Sequence, residues 1–260
     1  MPSPWRTYAS PSGDVAFVPR EWLSGALLYL FPGIDGENLY GKNCTSGSAY
    51  IRSTLPAGLA RVCAVVVARN SFATWESVEA NARVSLQRLG YTPTVTYALG
   101  FSAGGVPLLG NALMTAGWSK VFLVDPSVHP RVCRALSRGE RVEGLDARVE
   151  MTFNSSNWQG LFPDTYKALR PLAARINSGG GRAVEYGHYH LKFMQEAFRT
   201  LPLCPDAPSL FEHPPSLTGA GIVPASSHLF GGEGLLFGAL ISGFMFLHER
   251  KSRIRQDDKA

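Results

Sequence analysis

Thr94 to Gly105 reads TVTYALGFSAGG. Its first six residues are apolar or β-branched and predict a strand from Thr94 to Leu99. The next six, Gly100-Phe101-Ser102-Ala103-Gly104-Gly105, contain a G-x-S-x-G pattern, and a helix is predicted to follow from about Ala103 to Ala116. A serine on such a strand-to-helix turn is lifted above the edge of the sheet in a strained backbone conformation. Gly100 and Gly104 remove the side chains that would collide where strand and helix approach, and Gly105 extends that close packing. The helix beginning at the serine directs free N–H groups and positive partial charge towards it, which suits a developing oxyanion. Alone the pattern is weak, because Gly and Ser are common; its flanks give it weight.

Outward from this turn, short apolar runs alternate with helix-like stretches. Strands are predicted at Val15 to Val18, Gly25 to Phe31, Arg61 to Arg69, Val121 to Val124, Val149 to Phe153 and Ala183 to Tyr186. The run RVCAVVVAR at 61–69 is continuous rather than alternating, as in a strand buried on both faces. Helices are expected near Ser46 to Thr54, over Asp164 to Ile176, and from the Gly187-His188-Tyr189-His190 segment to near Leu201. Another is capped by Ser71 or Thr74, carries Trp75, Val78, Ala82, Leu86 and Leu89 at helical spacing, and ends at Gly90. This rhythm predicts a three-layer α/β fold, a mostly parallel sheet with helices on both faces.

With those elements in order, the chain resembles the α/β-hydrolase superfamily over roughly Val15 to Leu201. Gly100-Phe101-Ser102-Ala103-Gly104-Gly105 is similar to the nucleophile elbow of its esterases and lipases. The resemblance implies a serine, then an acid, then a histidine along the chain, with Ser102 as nucleophile and no cofactor or metal. A serine hydroxyl needs a base to take its proton, and His188 and His190 both follow the last predicted strand. The Gly187-His188 step is similar to the family's usual base position, so His188 is the first choice and His190 the alternative.

The acid must orient the imidazole and stabilise its cation. The turn after Val149 to Phe153, where many relatives keep it, reads Asn154-Ser155-Ser156-Asn157-Trp158 and lacks a carboxylate. Asp125, in the Asp-Pro turn after Val121 to Val124, resembles the acid of pancreatic-type lipases and is preferred. Asp164, at a predicted helix start, is the alternative, although a capping role explains it as well. For the oxyanion, the resemblance implies the N–H of Ala103 and one from the loop after Phe31, that of Ile34 rather than Asp35. Where many relatives have His-Gly, this loop has Phe31-Pro32-Gly33.

The expected function is therefore cleavage of small-molecule or lipid carboxylic esters through an acyl-enzyme. A thioesterase or peptidase of the same fold is the alternative within enzymes, and a membrane-tethered, non-catalytic binding protein the alternative outside them.

Composition narrows the other classes. The net charge is +5, and 248–260 alone holds five basic against three acidic residues, so the body has no basic stripe that asks for nucleic acid. Cys44, Cys63, Cys133 and Cys204 form no C-x-x-C pair, which leaves zinc ligation without a spacing to rest on. Cys63 is expected to be a buried thiol. The first residues lack the basic start and apolar core of a cleaved export signal.

The expected organisation is a catalytic domain over 1–203, a proline-rich linker over 204–228, an apolar helix over 229–247 and a basic tail over 248–260. Leu229 to Leu247 is apolar apart from Glu233, has Gly234 and Gly238 in G-x-x-x-G spacing, and is followed by Arg250, Lys251, Arg253 and Arg255. Membrane association, as a span or interfacial anchor, is the expectation; a helix docked on the domain or a self-associating segment are the alternatives.

Overall fold

The computed structural model describes residues 3–21, 25–34, 52, 55, 59–60, 63–71, 73–113, 117–160, 162–188 and 190. The predicted helices at 46–54 and 191–201, the linker, the apolar segment and the basic tail therefore lie outside the described residues, Arg52 excepted. Among the described residues, no helix is long and apolar enough to cross a membrane.

Among the described residues, eight strands form one sheet: β1 Trp5–Ala9, β2 Val15–Pro19, β3 Ala26–Phe31, β4 Ala64–Val67, β5 Val95–Phe101, β6 Lys120–Val124, β7 Val149–Phe153 and β8 Arg182–Glu185. Their order is β1-β2-β4-β3-β5-β6-β7-β8. β2 is antiparallel to β1 and to β4, and every other pair is parallel. The expected mostly parallel sheet is the one observed.

Every residue of β3 and β4 is buried, which accounts for their unbroken apolar sequence: both faces are covered. One face, with Phe31, Val66, Ala98, Leu123 and Met151, packs against helices Trp75–Arg88, Pro130–Ser137 and Pro163–Ser178. The opposite face, with Leu28, Leu30, Val65, Leu99 and Val124, is equally buried and meets Leu59 and Ala60. Helix Trp75–Arg88 begins at Thr74, not Ser71: the Thr74 side chain accepts from the Ser77 N–H at 3.3 Å.

Three features depart from the sequence expectation. β1 is a strand at the sheet edge, although its residues read as part of a polar start; Trp5 is its buried residue, and Arg6 to Ala9 are half-buried or exposed. Helix Pro130–Ser137 is additional, with proline in its first turn and Val132 as its buried residue. The helix predicted over 103–116 is not uniform. It starts as a tight 3-10 turn, Ser102–Gly104, passes through Gly105–Pro107 and widens into a π-turn at Leu108–Ala112.

The tight start follows from backbone contact. A Cβ on Gly104 would lie 2.0 Å from the Phe31 carbonyl oxygen and 2.6 Å from that of Pro32, so the turn rests directly on the end of β3. Gly105 is pressed likewise onto Pro126 and Ser127. Gly104→Ala is expected to destabilise the protein by about 1–3 kcal/mol or more, because a backbone contact cannot be relieved by a rotamer change. Gly117→Ala, where nothing lies within 4 Å, is the neutral control. Denaturant titration of both variants checks this.

Candidate active site

The register sets four strand ends side by side at the carboxyl edge of the sheet. Phe101 pairs with Val124, Val124 with Thr152, and Phe153 with Glu185, so Ser102, Asp125, Asn154 and Tyr186 leave neighbouring strands within one residue of the same level. This is the edge at which open α/β sheets bind ligands.

Two residues there hold backbone conformations that L-amino acids rarely adopt. Ser102 has φ 54° and Asp125 φ 40°, the only described non-glycine residues with positive φ. Strain of this kind costs roughly 1–3 kcal/mol per residue and persists where surrounding contacts over-determine it. Here those contacts are visible. The Ser102 carbonyl accepts from the Ser127 N–H at 2.7 Å, and the Asp125 N–H donates to the Thr152 carbonyl at 2.7 Å. With Gly105 against Pro126, the serine turn and the Asp-Pro-Ser turn brace each other.

Asp125 is fully buried (0% exposed) and meets four nitrogen groups. Its Oδ1 accepts from the Asn154 backbone N–H at 3.0 Å and the Trp158 indole N–H at 3.2 Å. Its Oδ2 accepts from the Asn157 amide at 2.8 Å and lies 2.5 Å from His190 Nδ1. Against an acceptor carboxylate, the His190 proton belongs on Nδ1, which leaves Nε2 with its lone pair. The imidazole is stacked on Phe101, with ring centroids 4.9 Å apart and planes at 24°. Trp158 closes on its edge at 5.3 Å and 85°. The ring thus lies against the residue immediately before Ser102.

His188, the first choice from sequence, occupies a different place. It is buried, and its ring stacks on Tyr186 at 5.6 Å with planes at 8°. Its carbonyl accepts from the side-chain amides of Asn154 at 2.9 Å and Asn157 at 3.1 Å. The histidine that meets the acid is therefore His190, the expected alternative, and not His188, the first choice.

Asp164 is also placed away from this cluster. It is exposed in the first turn of helix Pro163–Ser178, whose N-terminal dipole it complements. Ser102 is buried (7% exposed), as is Ala103 beside it. The close seat of Gly104 on Phe31 and Pro32 brings the Pro32-Gly33-Ile34 segment alongside the serine turn, with Ile34 half-buried; Asp35 lies outside the described residues.

The turn Ser155–Trp158 is the part of the site that sequence reading passed over, because it was searched for a carboxylate. Its signal is three side-chain N–H carriers, Asn154, Asn157 and Trp158, at the end of a central strand. Below it, Glu185 accepts from the Ser155 N–H at 3.1 Å and from its hydroxyl, and pairs with Arg170. Burial pushes the Glu185 carboxyl upward, but the hydrogen bonds from Arg170 and Ser155 outweigh it and hold the group below its ordinary value. Among the described residues, no three His, Cys, Asp or Glu side chains are grouped to hold a metal ion.

No protein-family model matches this sequence, and no curated protein matches it. Solved structures similar to it include a thermostable esterase (TM-score 0.45, 13% identity, 76% of this chain and 60% of that one). Others are a siderophore hydrolase from Aspergillus nidulans (0.45, 13%, 77% and 95%) and a hormone-sensitive lipase from a metagenome library (0.45, 12%, 76% and 83%). The chain thus spans about three fifths of the length of the esterase it matches.

Proposed function

We propose that this chain is a serine hydrolase of carboxylic esters, with Ser102 as nucleophile, His190 as general base and Asp125 as the residue that orients it. The observation that carries this reading is the 2.5 Å contact between His190 Nδ1 and a fully buried Asp125, against the strand that ends in a positive-φ serine. Nε2 of His190 takes the Ser102 proton as Oγ attacks the ester carbonyl. The buried Asp125 carboxylate stabilises the imidazolium so formed without taking its proton. The negative charge on the carbonyl oxygen is met by the Ala103 N–H and by that of Ile34. As the tetrahedral intermediate collapses, the imidazolium gives its proton to the departing alcohol. Water, activated by the same imidazole, then releases the acid from Ser102.

Esters are preferred over thioesters and peptides because the Gly100-Phe101-Ser102-Ala103-Gly104-Gly105 run resembles the nucleophile elbow of esterases and lipases; the triad chemistry itself serves all three. The test is a panel of p-nitrophenyl esters of graded acyl length beside matched thioesters and peptide anilides. Turnover of at least one ester, exceeding that of its thioester and anilide counterparts, is expected. A folded protein that turns over none of them would refute the proposal.

A further inference from the structure

We propose that Asn157 and Trp158 are positioning residues, which hold the Asp125 carboxylate in the orientation at which it meets His190. The inference rests on the triad reading above and adds to it. An ionised carboxylate offers about four acceptor sites. Those of Asp125 are met by four nitrogens, two at each oxygen, and His190 is one of the four. Because the group is wholly buried, no solvent can replace a lost donor, and the carboxylate would rotate towards the donors that remain.

Asn157 has a second contact that makes it more than a filler of one lone pair. Its amide group donates both to Asp125 Oδ2 at 2.8 Å and to the His188 carbonyl at 3.1 Å. Asn154 donates to the same carbonyl at 2.9 Å. The turn after β7 therefore grips the acid with one set of N–H groups and the loop carrying His190 with another. The separation of acid from base is set across this turn, although no atom of it needs to touch substrate. Trp158 acts on both partners as well, since its N–H reaches Oδ1 while its ring abuts the imidazole. The turn thus supplies the frame for an acid from the neighbouring strand.

A double-mutant cycle tests this, with kcat and KM on the best ester of the panel for the full chain. Asn157→Ala is expected to lower kcat by roughly 10- to 100-fold with KM nearly unchanged, as for loss of a supporting hydrogen bond or a misplacement of about 1 Å. In an Asp125→Asn background, itself lower by on the order of 10⁴-fold, the same change should cost almost nothing further, because its effect passes through the carboxylate. Trp158→Phe, which keeps a ring and removes the N–H, should behave alike with a smaller loss, and carries the test if Asn157→Ala does not fold. Wild-type kcat in both variants, or equal losses with and without the Asp125 carboxylate, would overturn the positioning role while leaving the triad standing. Absence of ester turnover in the wild-type chain would overturn both.

Discussion

Ser102→Ala is expected to lower ester turnover by on the order of a million-fold, the loss typical when a triad nucleophile is removed. The size follows from the chemistry, since no neighbouring group replaces a nucleophile held by a strained turn. Stability should move the other way or hardly at all. Ser102 sits at φ 54°, and an alanine keeps that backbone strain while removing the hydroxyl of a buried residue. Turnover and the denaturation midpoint, measured on one preparation, separate a chemical loss from a folding loss. A variant retaining a tenth of wild-type turnover would exclude Ser102 from the bond-making step.

The second large effect distinguishes two histidines. His190→Ala should approach the loss of Ser102→Ala, because subtraction of either partner from such a pair disables the same step. His188→Ala should stay within about tenfold of wild type, since its contacts with Asn154 and Asn157 use the backbone carbonyl, which alanine retains. Some stability should be lost with the stacking on Tyr186, of about 0.5–1.5 kcal/mol. Initial rates on a single ester suffice to rank the two variants. The reverse ranking would return the base to His188 and leave the 2.5 Å contact of His190 with Asp125 without a catalytic role.

What could be read beforehand, and what could not, divides along physical lines. Strands β3 and β4 were legible because burial on both faces leaves no room for polar residues. The serine turn was legible because its glycines answer to backbone contacts, Gly104 on Phe31 above all, that no other residue permits. Asp125 could be singled out because its Asp-Pro turn resembles the one bearing the acid in pancreatic-type lipases and stands at the C-terminal end of a strand. β1 escaped because an edge strand exposes one side, and Arg6, Thr7 and Tyr8 then resemble loop. The short helix Pro130–Ser137 buries too few side chains to leave a period in the sequence.

Which of His188 and His190 meets the acid was not legible for a different reason. Both lie in the same loop, two residues apart, and the direction of each ring is decided by distant groups: Asn154 and Asn157 on the His188 carbonyl, Phe101 and Trp158 around the His190 ring. Chain order carries none of that information. The Asn154-to-Trp158 turn was passed over for a related reason, since its N–H groups acquire meaning only once Asp125 is known to lie opposite them.

The central claim is that Ser102 is a hydroxyl activated by its neighbours, and the most direct measurement of it is covalent capture. The full chain is incubated with a fluorophosphonate, digested, and its peptides weighed to locate the adduct. One phosphonyl group per chain, on the peptide containing Ser102 and missing from His190→Ala, is the predicted result. A folded chain that takes up no label, or takes it on another serine, would contradict the account.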